Sequence, residues 1–186
     1  MNAVPNQLEV KMTWILFYRM ARAALFGMIL LVVGACAPQP SYLADTSSPL
    51  HVEDVQALES RVHRLVNGHR VSIGLKPLEY SEQIARVARA HSRDMAERRA
   101  PFGHHGFDSR MQRIGQAVLV GAMAENVGYN DYPRSETAQV ALKKWLQSPG
   151  HRDCIEDAFD LTGVGVVLDS QGVYYYTQIF VRMGPR

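Results

Sequence analysis

Residues 161–181 read LTGVGVVLDSQGVYYYTQIFV, and this stretch decides the fold. Two β-rich runs, 161–169 and 173–181, flank Ser170-Gln171-Gly172. Runs of period two joined by a short Gly-containing segment are a hairpin signal. Gly163 and Gly165 alternate with Val164 and Val166, so one face of the first strand is bare there. A bare strand face means that another backbone comes close, most simply that of a packed helix.

Working outward, Ala124–Tyr129 reads as a third strand and four segments read as helices. From Glu53 to about Val71, apolar Val55, Leu58, Val62, Leu65 and Val66 recur at helical spacing. Leu75-Lys76-Pro77-Leu78 is an extended connection, because Pro77 disfavours a helical residue before it. Ser81 caps a second helix reaching about Arg99, with Ile84, Val87, Ala88, His91 and Met95 on its inner face. Asp108–Ile114 is a short third helix ended by Gly115. Ser135 caps a fourth, with Ala138, Ala141, Leu142, Trp145 and Leu146 inward, stopped by Ser148-Pro149-Gly150. Helices on both sides of a small antiparallel sheet make an α+β fold, an α–β–α sandwich.

The chain has 186 residues, enough for one ordinary domain. Its net charge of +2 resides in residues 1–35, where Lys11, Arg19 and Arg22 face Glu9. The rest balances 17 basic against 17 acidic groups, which disfavours nucleic acid as a partner. Ala23–Ala37 is uncharged, follows two arginines and is too short to span a bilayer comfortably. Val33-Gly34-Ala35-Cys36 resembles the lipobox of bacterial lipoproteins, in which the cysteine is acylated; the alternative is an uncleaved anchor helix. The division expected is a lipoprotein signal over 1–35, a Pro- and Ser-rich tether over 36–52, and a domain over 53–184. Translation from Met1, Met12 or Met20 is compatible with it. Lipidated Cys36 makes the membrane a partner and places the protein in the cell envelope, on the outer membrane where there are two. Cys154 is then left without an intramolecular partner.

No GxSxG, P-loop, GxGxxG, HExxH or CxxC motif occurs. The chemistry-bearing residues are His104 and His105 in PFGHHGF, Glu125 in MAENVG and His151 in SPGHR, all at element edges. Two imidazoles and a carboxylate suit zinc or another divalent metal, with a coordination position left open. They equally suit hydrogen bonds to buried turn backbone. His91, in an apolar stripe, reads as a core histidine bonded to backbone and not as part of the site. Asn126 and Arg152 also read as structural: Asn126 satisfying backbone, Arg152 pairing with Asp153, Glu156 or Asp157.

Seven motifs occur in order: Asn67, Arg70, Gly74-Leu75 and Pro77-Leu78; Ala88, His91-Ser92 and Asp94-Met95; Phe102-Gly103-His104, Gly106-Phe107 and Arg110; Ala124-Glu125-Asn126; Trp145 and Ser148-Pro149-Gly150-His151-Arg152; Gly163-Val164-Gly165; and Tyr176-Thr177-Gln178 with Phe180. Together they resemble the bacterial, SCP-like branch of the CAP superfamily of cysteine-rich secretory, antigen-five and pathogenesis-related-one proteins. The resemblance runs from about Val55 to Phe180. It implies an α–β–α sandwich with a cleft in which His104 and His151 are the two histidines and Glu125 the acidic residue. His105 sits beside the first histidine where relatives often carry an acidic or small residue. Ser148 stands where many eukaryotic members have a second glutamate, and Cys154 where Asn is common.

Three functions follow as alternatives. The first is an envelope-tethered binding module whose cleft holds a divalent metal weakly on His104 and His151. In it His105 and Asn126 flank the cleft, and the domain takes a lipid, sterol or cell-wall ligand. The second is a hydrolase of peptide or wall material in which metal activates water and Glu125 is general base or ligand. The third is a non-catalytic scaffold. Binding leads, because the resemblance implies a family whose members bind such ligands more securely than they catalyse; against a protease, no nucleophile with a positioned base is visible, Ser148 and His151 being separated by a Pro-Gly turn.

Overall fold

The computed structural model describes residues 52–185. The expectations for the signal, the tether, Cys36 and the start site lie outside these residues. Helix α1 (Val52–Ser72) leads through strand β1 (Glu79–Tyr80) to helix α2 (Glu82–Ala96). Helix α3 (Phe107–Gly115), strand β2 (Val120–Asn130), helix α4 (Arg134–Gln147) and helix α5 (Pro149–Glu156) follow. Strands β3 (Leu161–Leu168) and β4 (Tyr174–Met183) form the hairpin. The sheet order is β1-β3-β4-β2.

The bare face of β3 is occupied by α2. A Cβ built on Gly163 would lie 2.2 Å from the Ala85 nitrogen, and one on Gly165 2.1 Å from that of Arg89. Backbone thus meets backbone, and no side chain fits between. Ser92 fastens the contact by donating its hydroxyl to the Gly165 carbonyl at 2.9 Å. Alternation along β4 sorts its residues into two cores. Tyr174, Tyr176 and Phe180 join Leu58, Val62 and Val66 of α1, Ala141, Leu142 and Trp145 of α4 and Ile155 of α5. Ile179 and Val181 face Ile84, Val87 and Ala88 of α2 and Ile114 of α3. The result is helices on both sides of a sheet, as the hairpin implied.

Several boundaries differ from the sequence reading. The sheet is mixed, because β1 pairs with β3 in parallel, Glu79 opposite Leu161 and Tyr80 opposite Thr162. Asn67 fixes this entry by accepting from Leu78 N and donating to Leu78 O. Helix α2 stops at Ala96, and Arg98 takes a positive φ of 60°. Helix α4 starts from Pro133, ahead of Ser135. Ser148-Pro149 ends α4 and at once opens α5, with Pro149 in the first turn, where its missing N–H costs nothing. Among the described residues no helix is long and apolar enough to cross a membrane.

Trp145 closes the larger core, 2% exposed, with Nε1–H donating to Val127 O at 3.0 Å. Trp145→Phe keeps most of the apolar bulk and strands that carbonyl. The expected loss is about 1–2 kcal/mol, read from chemical denaturation. No loss would mean that the bond adds nothing.

Candidate functional site

The loop between α2 and α3 brings the first histidine to the sheet. His91 of α2, buried, donates its Nε2–H to Gly103 O at 2.8 Å and so pins that loop. Burial holds its imidazole below the ordinary value despite the bond, so it serves as a neutral tie. The next residue after Gly103, His104, donates Nδ1–H to Glu125 Oε1 at 3.0 Å. Its ring is half exposed, while the Glu125 side chain is 1% exposed. His105 contributes its carbonyl to the site, and its exposed ring lies back towards Gly103. His104, not His105, therefore meets the carboxylate.

Glu125 is held from beneath by Arg110 of α3. Nε donates to Oε2 at 2.7 Å and Nη2 to Oε1 at 2.6 Å, a two-pronged pair with the guanidinium 8% exposed. Arg110 also donates to His105 O at 2.7 Å, closing the loop over the pair. Arg110 stands in a sequence motif with His104, and nothing in its spacing points to Glu125 as its partner. A chain of orientation results: Arg110 fixes Glu125, and Glu125 fixes the tautomer and tilt of His104. The Nε2 lone pair of His104 is left to accept a proton, a hydroxyl or a metal ion.

His151 enters from the first turn of α5. Asn126, next to Glu125 on β2, donates Nδ2–H to His151 O at 2.9 Å and ties the helix to the strand. The half-buried ring lies within electrostatic reach of His104; burial first, then His104, pull its pKa below the ordinary histidine value. Asn126 Oδ1 and Gln178 Oε1, on directly paired positions of β2 and β4, are buried without a partner among the described residues. Arg152 does not take an acidic partner; its Nε donates to Leu146 O at 2.7 Å. Glu156 binds His69 and Asp157 binds Arg182 instead. Cys154 is a half-buried thiol with its pKa raised chiefly by burial, which keeps it protonated and unreactive.

Among the described residues no three His, Cys, Asp or Glu side chains gather in a metal-binding group. Both Glu125 oxygens already accept charged or polar donors. The donors left to a cation are at most two imidazoles, too few for a closed structural zinc.

A model of the cysteine-rich secretory protein family, CAP, matches residues 63–180. The chain belongs to this family. It is 31% identical over 123 residues to YkwD of Bacillus subtilis, covering 66% of this chain and 46% of that one. With the membrane protein YlbC of the same organism it shares 35% identity over 129 residues, 67% of this chain and 34% of that one. The chain thus spans less than half the length of either relative. Among solved structures, an extracellular SCP-domain protein of Bacillus anthracis superposes with a TM-score of 0.60 at 29% identity, over 73% of this chain and 45% of that one. A cysteine-rich secretory protein of Staphylococcus aureus superposes at 0.56 and 24% identity, over 71% and 41%, which shows the shared fold.

Proposed function

We propose that this chain is exported, held in the envelope through lipidated Cys36, and that its domain binds an envelope ligand in the His104–Glu125–His151 cleft without turning it over. One observation carries the reading. Glu125 is buried and spent on Arg110 and His104, so its role is to aim an imidazole, not to take a proton from water. Export is supported by the extracellular B. anthracis relative.

A divalent cation belongs to this reading as a weak guest of His104 Nε2 and His151. Calorimetry with zinc at neutral pH is the test, and binding weak enough to be lost on dialysis is expected. Both imidazoles must be neutral to bind metal. The lowered His151 value keeps that ring neutral to a lower pH than an ordinary histidine, so its own protonation removes a metal ligand only below the ordinary histidine range. His104→Ala and His151→Ala each abolish the heat and His91→Ala does not. Unchanged binding in the His151 variant would remove the metal from the reading. Turnover of wall fragments that His104→Ala abolishes would replace binding with catalysis.

A further inference from the structure

Beyond Glu125 on the same strand lies a row of three aromatic rings, two of them exposed. On β2, Glu125 and Tyr129 point to the same sheet face, four residues and about 13 Å apart. The loop that carries His104 to Glu125 also lays Phe102 on Tyr129, edge to face, with centroids 4.9 Å apart. Across the strand pair Tyr129 meets Tyr175 of β4 at 6.0 Å and an interplanar angle of 27°. Helix α2 ends at Ala96, and Phe102 and Tyr129 remain 43% and 49% exposed. At the far end Arg98, near enough to Tyr175 to act on its hydroxyl, donates to Gln171 at 3.5 Å.

We propose that this strip, carried by the same loop and strand as His104 and Glu125, binds a glycan strand, the polysaccharide of the envelope, with His104 accepting a sugar hydroxyl at one end. The proposal rests on the cleft being a ligand site and names its ligand class. A pyranose has apolar C–H faces rimmed by hydroxyls, and the strip answers both halves. Three aromatic rings supply contact area with few rotors to freeze. Two tyrosine hydroxyls, the His104 lone pair and the Arg98–Gln171 pair supply donors and acceptors at their margins. The aromatic part carries no charge, unlike a surface built for anionic lipid, and the exposed aliphatic residues Val71, Ile73 and Leu119 lie outside the strip. A stable protein interface needs about 800 Å² per partner, far beyond three rings. The length from Glu125 to Tyr175 takes an oligosaccharide, not a single sugar.

The test uses the full chain with its anchor already inserted in phospholipid nanodiscs and three probes: purified cell-wall sacculi in sedimentation, soluble β-1,4-linked N-acetylglucosamine oligomers in calorimetry, and vesicles of mixed zwitterionic and anionic phospholipid. Sacculi and oligomers are expected to bind. Tyr129→Ala and Phe102→Ala each weaken oligomer binding about five- to tenfold with the thermal midpoint unchanged, while Tyr129→Phe, which keeps the ring and loses only the hydroxyl, weakens it by less. Tyr132→Ala, exposed but outside the strip, leaves it as it was. Oligomers that fail to bind, or bind equally to the Tyr129→Ala protein, overturn the proposal. If sacculi or vesicles still bind in a His104-dependent way, the binding-module reading survives that failure; if none of the three probes binds, it falls too. Vesicle binding that Tyr129→Ala removes would make the strip a membrane contact and equally overturn the glycan.

Discussion

Gly165→Ala is expected to cost the domain at least about 4 kcal/mol, the range in which a single change is diagnostic of one mechanism. The mechanism is steric and has no soft partner. The added carbon would sit 2.1 Å from the Arg89 nitrogen and 2.3 Å from the Ala88 carbonyl carbon. Overpacking against flexible side chains costs about 1–3 kcal/mol because they can turn aside. A helix backbone cannot, so α2 must lift from the sheet as a unit. Lifting it uncovers Ile84, Val87 and Ala88 and breaks the Ser92–Gly165 bond. It also pulls Arg89 from Glu59, whose 1% exposed carboxylate makes its shortest contact to that guanidinium at 2.6 Å and accepts from Val166 N. Domains hold about 5–15 kcal/mol in all, so the variant should be largely unfolded at 37 °C. Gly68→Ala is the control: it is inside helix α1 with nothing within 4 Å, and alanine there should stabilise by about 0.5–1 kcal/mol. Urea denaturation of the two variants reads both values. A Gly165→Ala protein as stable as its parent would mean that α2 does not rest on β3 as described.

What could be read from sequence and what could not divide along a physical line. The Gly163–Gly165 alternation predicts a close backbone because absence of side chains is itself a local, periodic signal. His91 reads as a tie because a histidine in an apolar stripe needs a partner, and Gly103 O supplies it. Helix α5 was hidden because Ser-Pro-Gly both stops one helix and caps the next, and which role holds depends on tertiary room. The two residues of β1 are too few for a period. The pairing of Arg110 with Glu125 leaves no local trace: one is on a helix, the other on a strand, and only the packed fold joins them. For the same reason the spacing of His104 and His105 does not say which ring faces the carboxylate; the Arg110 bond to His105 O turns the loop so that His104 does. Phe102, Tyr129 and Tyr175 come from three separate segments, and their row exists only in the sheet.

Arg110→Met should cost about 3–5 kcal/mol near pH 7.5, because it leaves the Glu125 carboxylate buried with no cation. His104 does not compensate, since its Nδ1–H makes one hydrogen bond to the carboxylate where Arg110 makes two. Glu125→Met introduced into Arg110→Met removes the orphaned charge and should recover more than half of the lost stability. That double variant separates structure from site. It restores the fold but leaves His104 with nothing to set its tautomer or tilt, so zinc binding should stay lost while the urea midpoint returns. A deficit below about 1 kcal/mol would show that the Arg110–Glu125 pair adds no more than an exposed ion pair and that His104 is aimed by something else.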